Sequence, residues 1–110
     1  ASDTVALGAV LNCSFDVIIA DTKKLYLDSG TDTYLHEVSA DKLDIVVGGQ
    51  TILELTEGGG GASDSLAIQA LNKMYFDGVG DTYIQESAAD TLDFYAGGAR
   101  MLTLVEGSDD

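Results

Sequence analysis

Along residues 24–58 apolar and polar side chains alternate with a period of two, in runs of strand length. The run "KLYLD" sets Leu25 and Leu27 on one face, and "ADKLDIVV" does the same with Leu43, Ile45 and Val47. Between them "TDTYLHEV" follows the turn sequence "DSGTD", and Gly48-Gly49 reverses the chain into "TILELTE". Aspartate at such reversals supplies an acceptor for nearby backbone N–H groups, and glycine supplies positive φ. The pattern predicts four short antiparallel strands joined as a meander. No segment carries capped helical spacing over a helix's length, although "SDTVALGAVLN" and "SDSLAIQALN" each have room for one turn of helix.

The same pattern then recurs. "KMYFDGVGDTYIQESAADTLDFYAGGARMLTLVEG", residues 73–107, aligns without a gap on residues 24–58, and about half of the paired positions are identical. Asp32-Thr33-Tyr34 matches Asp81-Thr82-Tyr83, Leu43-Asp44 matches Leu92-Asp93, and Gly48-Gly49 matches Gly97-Gly98. The expected organisation is a partial repeat over 1–23, a unit over 24–58, a glycine-rich connector over 59–72, a second unit over 73–107 and an acidic tail over 108–110. Ser63-Asp64 echoes Ser2-Asp3, so the connector belongs to the repeat, and the chain is expected to begin partway through a longer tandem array. An Ala1 start without methionine suits a processed product or a fragment.

A sheet of four short strands has one apolar face to bury, and no helix is predicted to cover it. Two arrangements satisfy that need: the units pack on each other as a sandwich, or identical chains pack around an axis. Apolar positions that recur at constant spacing favour the second, because every unit presents the same face again. The expected assembly face comprises Leu25, Leu27, Leu35, Leu43, Ile45, Leu53 and Leu55, then Met74, Phe76, Ile84, Leu92, Phe94, Leu102 and Leu104.

Composition narrows the partners. Nineteen acidic residues oppose five basic ones, for a net charge of −14. Such a surface repels nucleic acid and anionic membranes, and no apolar run reaches the length of a membrane span. A single cysteine, Cys13, excludes an internal disulfide and a cysteine-based zinc site. Its place in "LGAVLNCSFDVII" suits a small buried apolar residue.

Catalytic patterns are lacking. His36, the only histidine, is replaced by Gln85 in the second unit, so a histidine-dependent site could not be duplicated. No nucleophile elbow, phosphate loop or dinucleotide fingerprint occurs, and the expectation is a non-enzymatic protein without a cofactor. One metal hypothesis remains. Asp28 with Asp32, and Asp77 with Asp81, bracket glycine-containing turns where hard oxygens could gather around calcium; the competing reading has these aspartates bonding local backbone N–H groups. Tyr26, Tyr34, Tyr75, Tyr83 and Tyr95 could likewise stack on sugars, or pack against each other across strands.

The shared pattern Y-[LF]-D-x-x-x-D-T-Y-[LI]-x-E, then A-D-x-L-D, then G-G-x-x-x-L-x-L, resembles repeats of tailed-bacteriophage tail fibres and related virion appendages. The resemblance covers both units, about two-thirds of the chain. It implies an extracellular virion protein: a homotrimer of β-prism type, apolar faces toward the axis, contacting other virion proteins as a fibre shaft or capsid decoration module. The chain departs from that pattern in having no recognisable tip or chaperone segment. The alternative is an adhesin-like carbohydrate- or surface-binding β-module, stabilised by calcium.

Overall fold

The computed structural model describes residues 5–107, and among them every regular element is a β-strand. The first sheet contains β1 (Lys24–Tyr26), β2 (Tyr34–Ser39), β3 (Lys42–Val47), β4 (Gln50–Thr56) and β5 (Ser65–Ile68), hydrogen-bonded in that order. The second contains β6 (Lys73–Tyr75), β7 (Tyr83–Ala88), β8 (Thr91–Ala96) and β9 (Ala99–Val105), again in chain order. All pairings are antiparallel. The meander read from the alternation is thus present twice.

The turns repeat as closely as the strands. Gly48 and Gly49 have φ of 57° and 75°, and Gly97 and Gly98 have 57° and 77°. Two successive positive φ values make the tight hairpin whose twist matches its flanking strands, which is why both residues are glycine. Each hairpin is tied back to the Asp-Thr turn: Gly49 N–H donates to Asp32 O at 2.8 Å, and Gly98 N–H to Asp81 O at 2.9 Å. Thr33 and Thr82 hydroxyls accept from Gly48 and Gly97 N–H, both at 3.2 Å. A bulge at Ile45/Val46 recurs at Phe94/Tyr95, leaving Ile52 and Met101 as the extra residues opposite.

One expectation needs correction. Segment 59–72 is more than a connector: Ser65–Ile68 is a fifth strand on the edge of β4, not a turn of helix. Leu66 and Ile68 alternate with polar or small neighbours, and the open edge of β4 supplies backbone partners that a single helical turn would lack. The first 23 residues hold no regular element among those described; residues 1–4 and the tail 108–110 lie outside the described residues. The echo of Ser63-Asp64 at Ser2-Asp3 is therefore not matched by a second strand near residue 5.

No strand of one sheet packs on a strand of the other, so the sandwich arrangement is absent. The radius of gyration is 19.0 Å, against about 13 Å for a compact chain of this size, and the longest extent is 57 Å. The two sheets follow one another as separate layers. Among the described residues the only buried hydrophobic side chain is Val46.

Candidate functional site

Strand register decides which side chains share a face. Leu25, Leu35, Ile45, Leu53 and Ile68 oppose one another across five strands, and Leu43, Leu55 and Leu66 form the next rung. In the second sheet Met74, Ile84, Phe94 and Leu102 form one rung, with Leu92 and Leu104 beside them. Twelve of the fourteen residues expected on an assembly face are thereby collected on one side of the two sheets. Leu27 and Phe76 lie one residue beyond β1 and β6, where their N–H groups bond Thr33 O and Thr82 O; both are about two-thirds exposed, at 65% and 64%. Leu66 and Ile68 join this face although the sequence pattern did not assign them to it.

The apolar face is the open one. Leu43 is 37% exposed, Leu92 39%, Leu102 50% and Leu104 51%. Nothing among the described residues covers them. The opposite face is polar and carries the side chains that are buried among the described residues, Asp44, Val46 and Asp93, while Lys24, Tyr26 and Lys73 at its edge are exposed. Tyr26 and Tyr34 pack edge to face with centroids 5.3 Å apart, and Tyr83 stacks on Tyr95 at 4.6 Å. Lys24 Nζ sits 4.2 Å from the centre of the Tyr34 ring, and Lys73 Nζ 4.3 Å from that of Tyr83. The tyrosines are therefore cross-strand partners of one another in this chain.

On this polar side each sheet buries one aspartate, at equivalent positions. Asp93 accepts the Ser87 hydroxyl at 2.6 Å and lies 3.9 Å from Arg100 Nη1. The Ser87 hydroxyl, then the Thr103 hydroxyl and Arg100, hold its carboxyl below the ordinary carboxylate range. Asp44 has poorer company. Val38 replaces the serine, Thr51 replaces the arginine, and Glu54 lies directly opposite. Burial, with Glu54 adding to it, pushes the Asp44 carboxyl up, and the Lys42–Glu54 ion pair of 3.3 Å only partly offsets this. Each aspartate keeps one buried oxygen, Oδ1, without a hydrogen-bond partner. Sequence reading passed over this pair, although the repeated Leu-Asp of β3 and β8 carried the signal.

The four aspartates weighed as calcium ligands do turn work. Asp28 Oδ2 accepts the N–H groups of Asp32 and Thr33 at 2.9 and 2.8 Å, and Oδ1 accepts that of Thr31 at 3.1 Å. Asp77 Oδ2 accepts those of Asp81 and Thr82 at 3.0 and 3.1 Å. These backbone donors, Asp32 and Asp81 foremost, lower both carboxyls from the ordinary value of 3.8. Asp32 and Asp81 contribute their main-chain carbonyls to the glycine hairpins. Among the described residues no three histidine, cysteine or acidic side chains are grouped as a metal centre.

His36 is also architectural. Its Nε2–H donates to Thr22 O at 3.1 Å, and Gln85 Nε2–H donates to Leu71 O at 2.7 Å. Thr22 and Leu71 occupy equivalent places with φ of 61° and 70°, so imidazole and amide pin the same strained turn. Cys13, expected to be buried, is exposed, since no layer lies over residues 5–20. Compared with protein-family models, curated proteins and solved structures, the chain matches none.

Proposed function

We propose that this chain is a non-enzymatic structural module that works by associating with copies of itself, three chains turning their apolar faces toward a common axis. One observation carries the reading: in each sheet the leucine-rich face is left open, while the buried side chains lie on the polar face. A monomer with that distribution leaves its largest source of burial energy unused. Turning the faces together would bury them and keep the polar, acidic side toward water, where a net charge of −14 favours solubility and opposes unspecific clumping. The repeat pattern's resemblance to tail-fibre repeats supports the threefold form and a place in a virion, as a shaft or a capsid decoration module. Each unit would be one storey of the column.

The test is the absolute mass of the native protein by light scattering or native mass spectrometry. A mass of three chains supports the reading. A stable monomer sinks it, and would favour instead a surface-binding β-module that uses the open face for another molecule.

A further inference from the structure

Strand register sets a row of side chains across the polar face of the first sheet: Lys24 on β1, His36 on β2, Asp44 on β3, Glu54 on β4 and Ala67 on β5. The corresponding row of the second sheet is Lys73, Gln85, Asp93 and Thr103. Each row is a natural control for the other. Both centre on a buried aspartate, Asp44 at 8% exposure and Asp93 at 1%, and in both the Oδ1 atom has no hydrogen-bond partner.

The surroundings of the two carboxyls differ. Asp93 has the Ser87 hydroxyl, the Arg100 guanidinium and Thr103 beside it. In the first sheet those three places hold Val38, Thr51 and Glu54. The exchanges remove a hydroxyl donor and a positive charge, and they set a second carboxyl directly opposite the first. The Thr51 hydroxyl lies 3.5 Å from Asp44 Oδ2, at the long limit of a hydrogen bond. The other charged and titratable groups of this face are engaged elsewhere. Lys42 Nζ pairs with Glu54 Oε1 at 3.3 Å, and Lys24 Nζ sits 4.2 Å from the centre of the Tyr34 ring. His36 Nε2–H donates to Thr22 O, and Tyr26 packs on Tyr34. A buried carboxylate that faces another carboxylate gains twice from one proton: a charge disappears, and an acceptor becomes a donor that its neighbour can accept. Such groups titrate as a pair.

We propose that Asp44 and Glu54 hold one proton between them in mild acid, and that this carboxyl–carboxylate bond tightens the first sheet on acidification while the second sheet has no counterpart. The sign follows from linkage. Burial first, then Glu54, raise the Asp44 carboxyl above its ordinary value of 3.8, so folding of the first sheet takes up a proton in the interval above 3.8. That contribution is fully present at the acid end of the interval and is lost as pH rises through the folded value. Asp93 is lowered, by the Ser87 hydroxyl foremost, so its contribution is present above 3.8 and is lost as pH falls through its folded value. The repeats therefore answer mild acid differently. These groups all lie on the polar side, so the response is independent of how the apolar faces associate.

Carbon-13 carboxyl shifts and amide exchange test this on the full chain carrying His36→Gln, which removes the imidazole charge and keeps the turn as Gln85 does. Asp44 is expected to titrate at higher pH than Asp93, and Glu54→Thr, the residue of the second sheet, should move its midpoint down. Between pH 7 and pH 4, protection of the β3 amides should rise relative to those of β8, by up to about tenfold per pH unit within the interval. In Asp44→Asn that relative rise should vanish. An Asp44 midpoint at or below 3.8, a midpoint that Glu54→Thr leaves in place, or equal changes in β3 and β8 would each overturn the proposal. The titration and exchange of the chain with β3 and β4 unaltered decide the matter even where a variant fails to fold.

Discussion

Replacing Leu92 by aspartate separates the stability of a single sheet from the energy of association. In the chain Leu92 lies between Glu86 and Leu104 on the open face and is 39% exposed. Its truncation loses part of one leucine's packing, and the new carboxylate faces Glu86, for a combined cost of about 1–2 kcal/mol within the sheet. The sheet should therefore persist, with its far-ultraviolet strand signal intact. In an assembly with covered faces the arithmetic differs. The 39% of Leu92 left open contributes about 0.6–1.2 kcal/mol once covered, taking 1.5–3 kcal/mol for a whole side chain. An ionised carboxylate buried there costs several kcal/mol instead. The difference, at least about 3 kcal/mol per contact, corresponds to more than about a hundredfold in association constant. Sedimentation velocity across a concentration series should show Leu92→Asp as a folded monomer where the parent chain is assembled. Gln50→Asp, at an exposed strand end, should leave assembly unchanged. If Leu92→Asp sediments with the parent's mass at every concentration, the apolar face is not the one that associates.

Other consequences are equally direct. His36→Gln should be neutral, because Gln85 holds the matching turn, whereas His36→Ala should cost about 1 kcal/mol in urea unfolding by leaving the Thr22 carbonyl without its donor. Gly98→Ala should destabilise by about 1–2 kcal/mol, since φ of 77° is strained for any residue with a Cβ, and Gly98→Asn should recover part of the loss. Asp28 and Asp77 have lowered carboxyl pKa values, so their contribution is present above the ordinary value of 3.8 and is lost as pH falls through the lower folded values. Acid unfolding monitored by tyrosine fluorescence should accordingly begin at higher pH in Asp28→Ala. The two buried aspartates should respond with opposite signs: at pH 7 Asp44→Asn raises the midpoint by relieving a carboxyl pushed up by burial and Glu54, and Asp93→Asn lowers it. Melting with and without a calcium chelator should give one midpoint, because the Asp28 and Asp77 oxygens are already engaged by backbone donors.

The strands, their order and the apolar face were legible in the sequence because each follows from local rules. A period of two assigns side chains to faces, paired glycines dictate the hairpin, and an aspartate before a turn bonds the N–H groups that follow it. Duplication strengthened every one of these readings by showing it twice. The chain alone did not reveal β5, since four residues of modest strand propensity become a strand only when an open edge such as that of β4 is offered. Nor did it show that the sheets stay apart, or that Val46, Asp44 and Asp93, the buried side chains among the described residues, lie on the polar face. Those outcomes depend on distances between residues far apart in sequence: Lys24 and Lys73 reach the Tyr34 and Tyr83 rings, and Asp93 meets Ser87 and Arg100, only once register has placed them. Local chemistry specifies the strands, whereas the open leucine face is defined by what the folded sheets leave uncovered, which no short window of sequence contains.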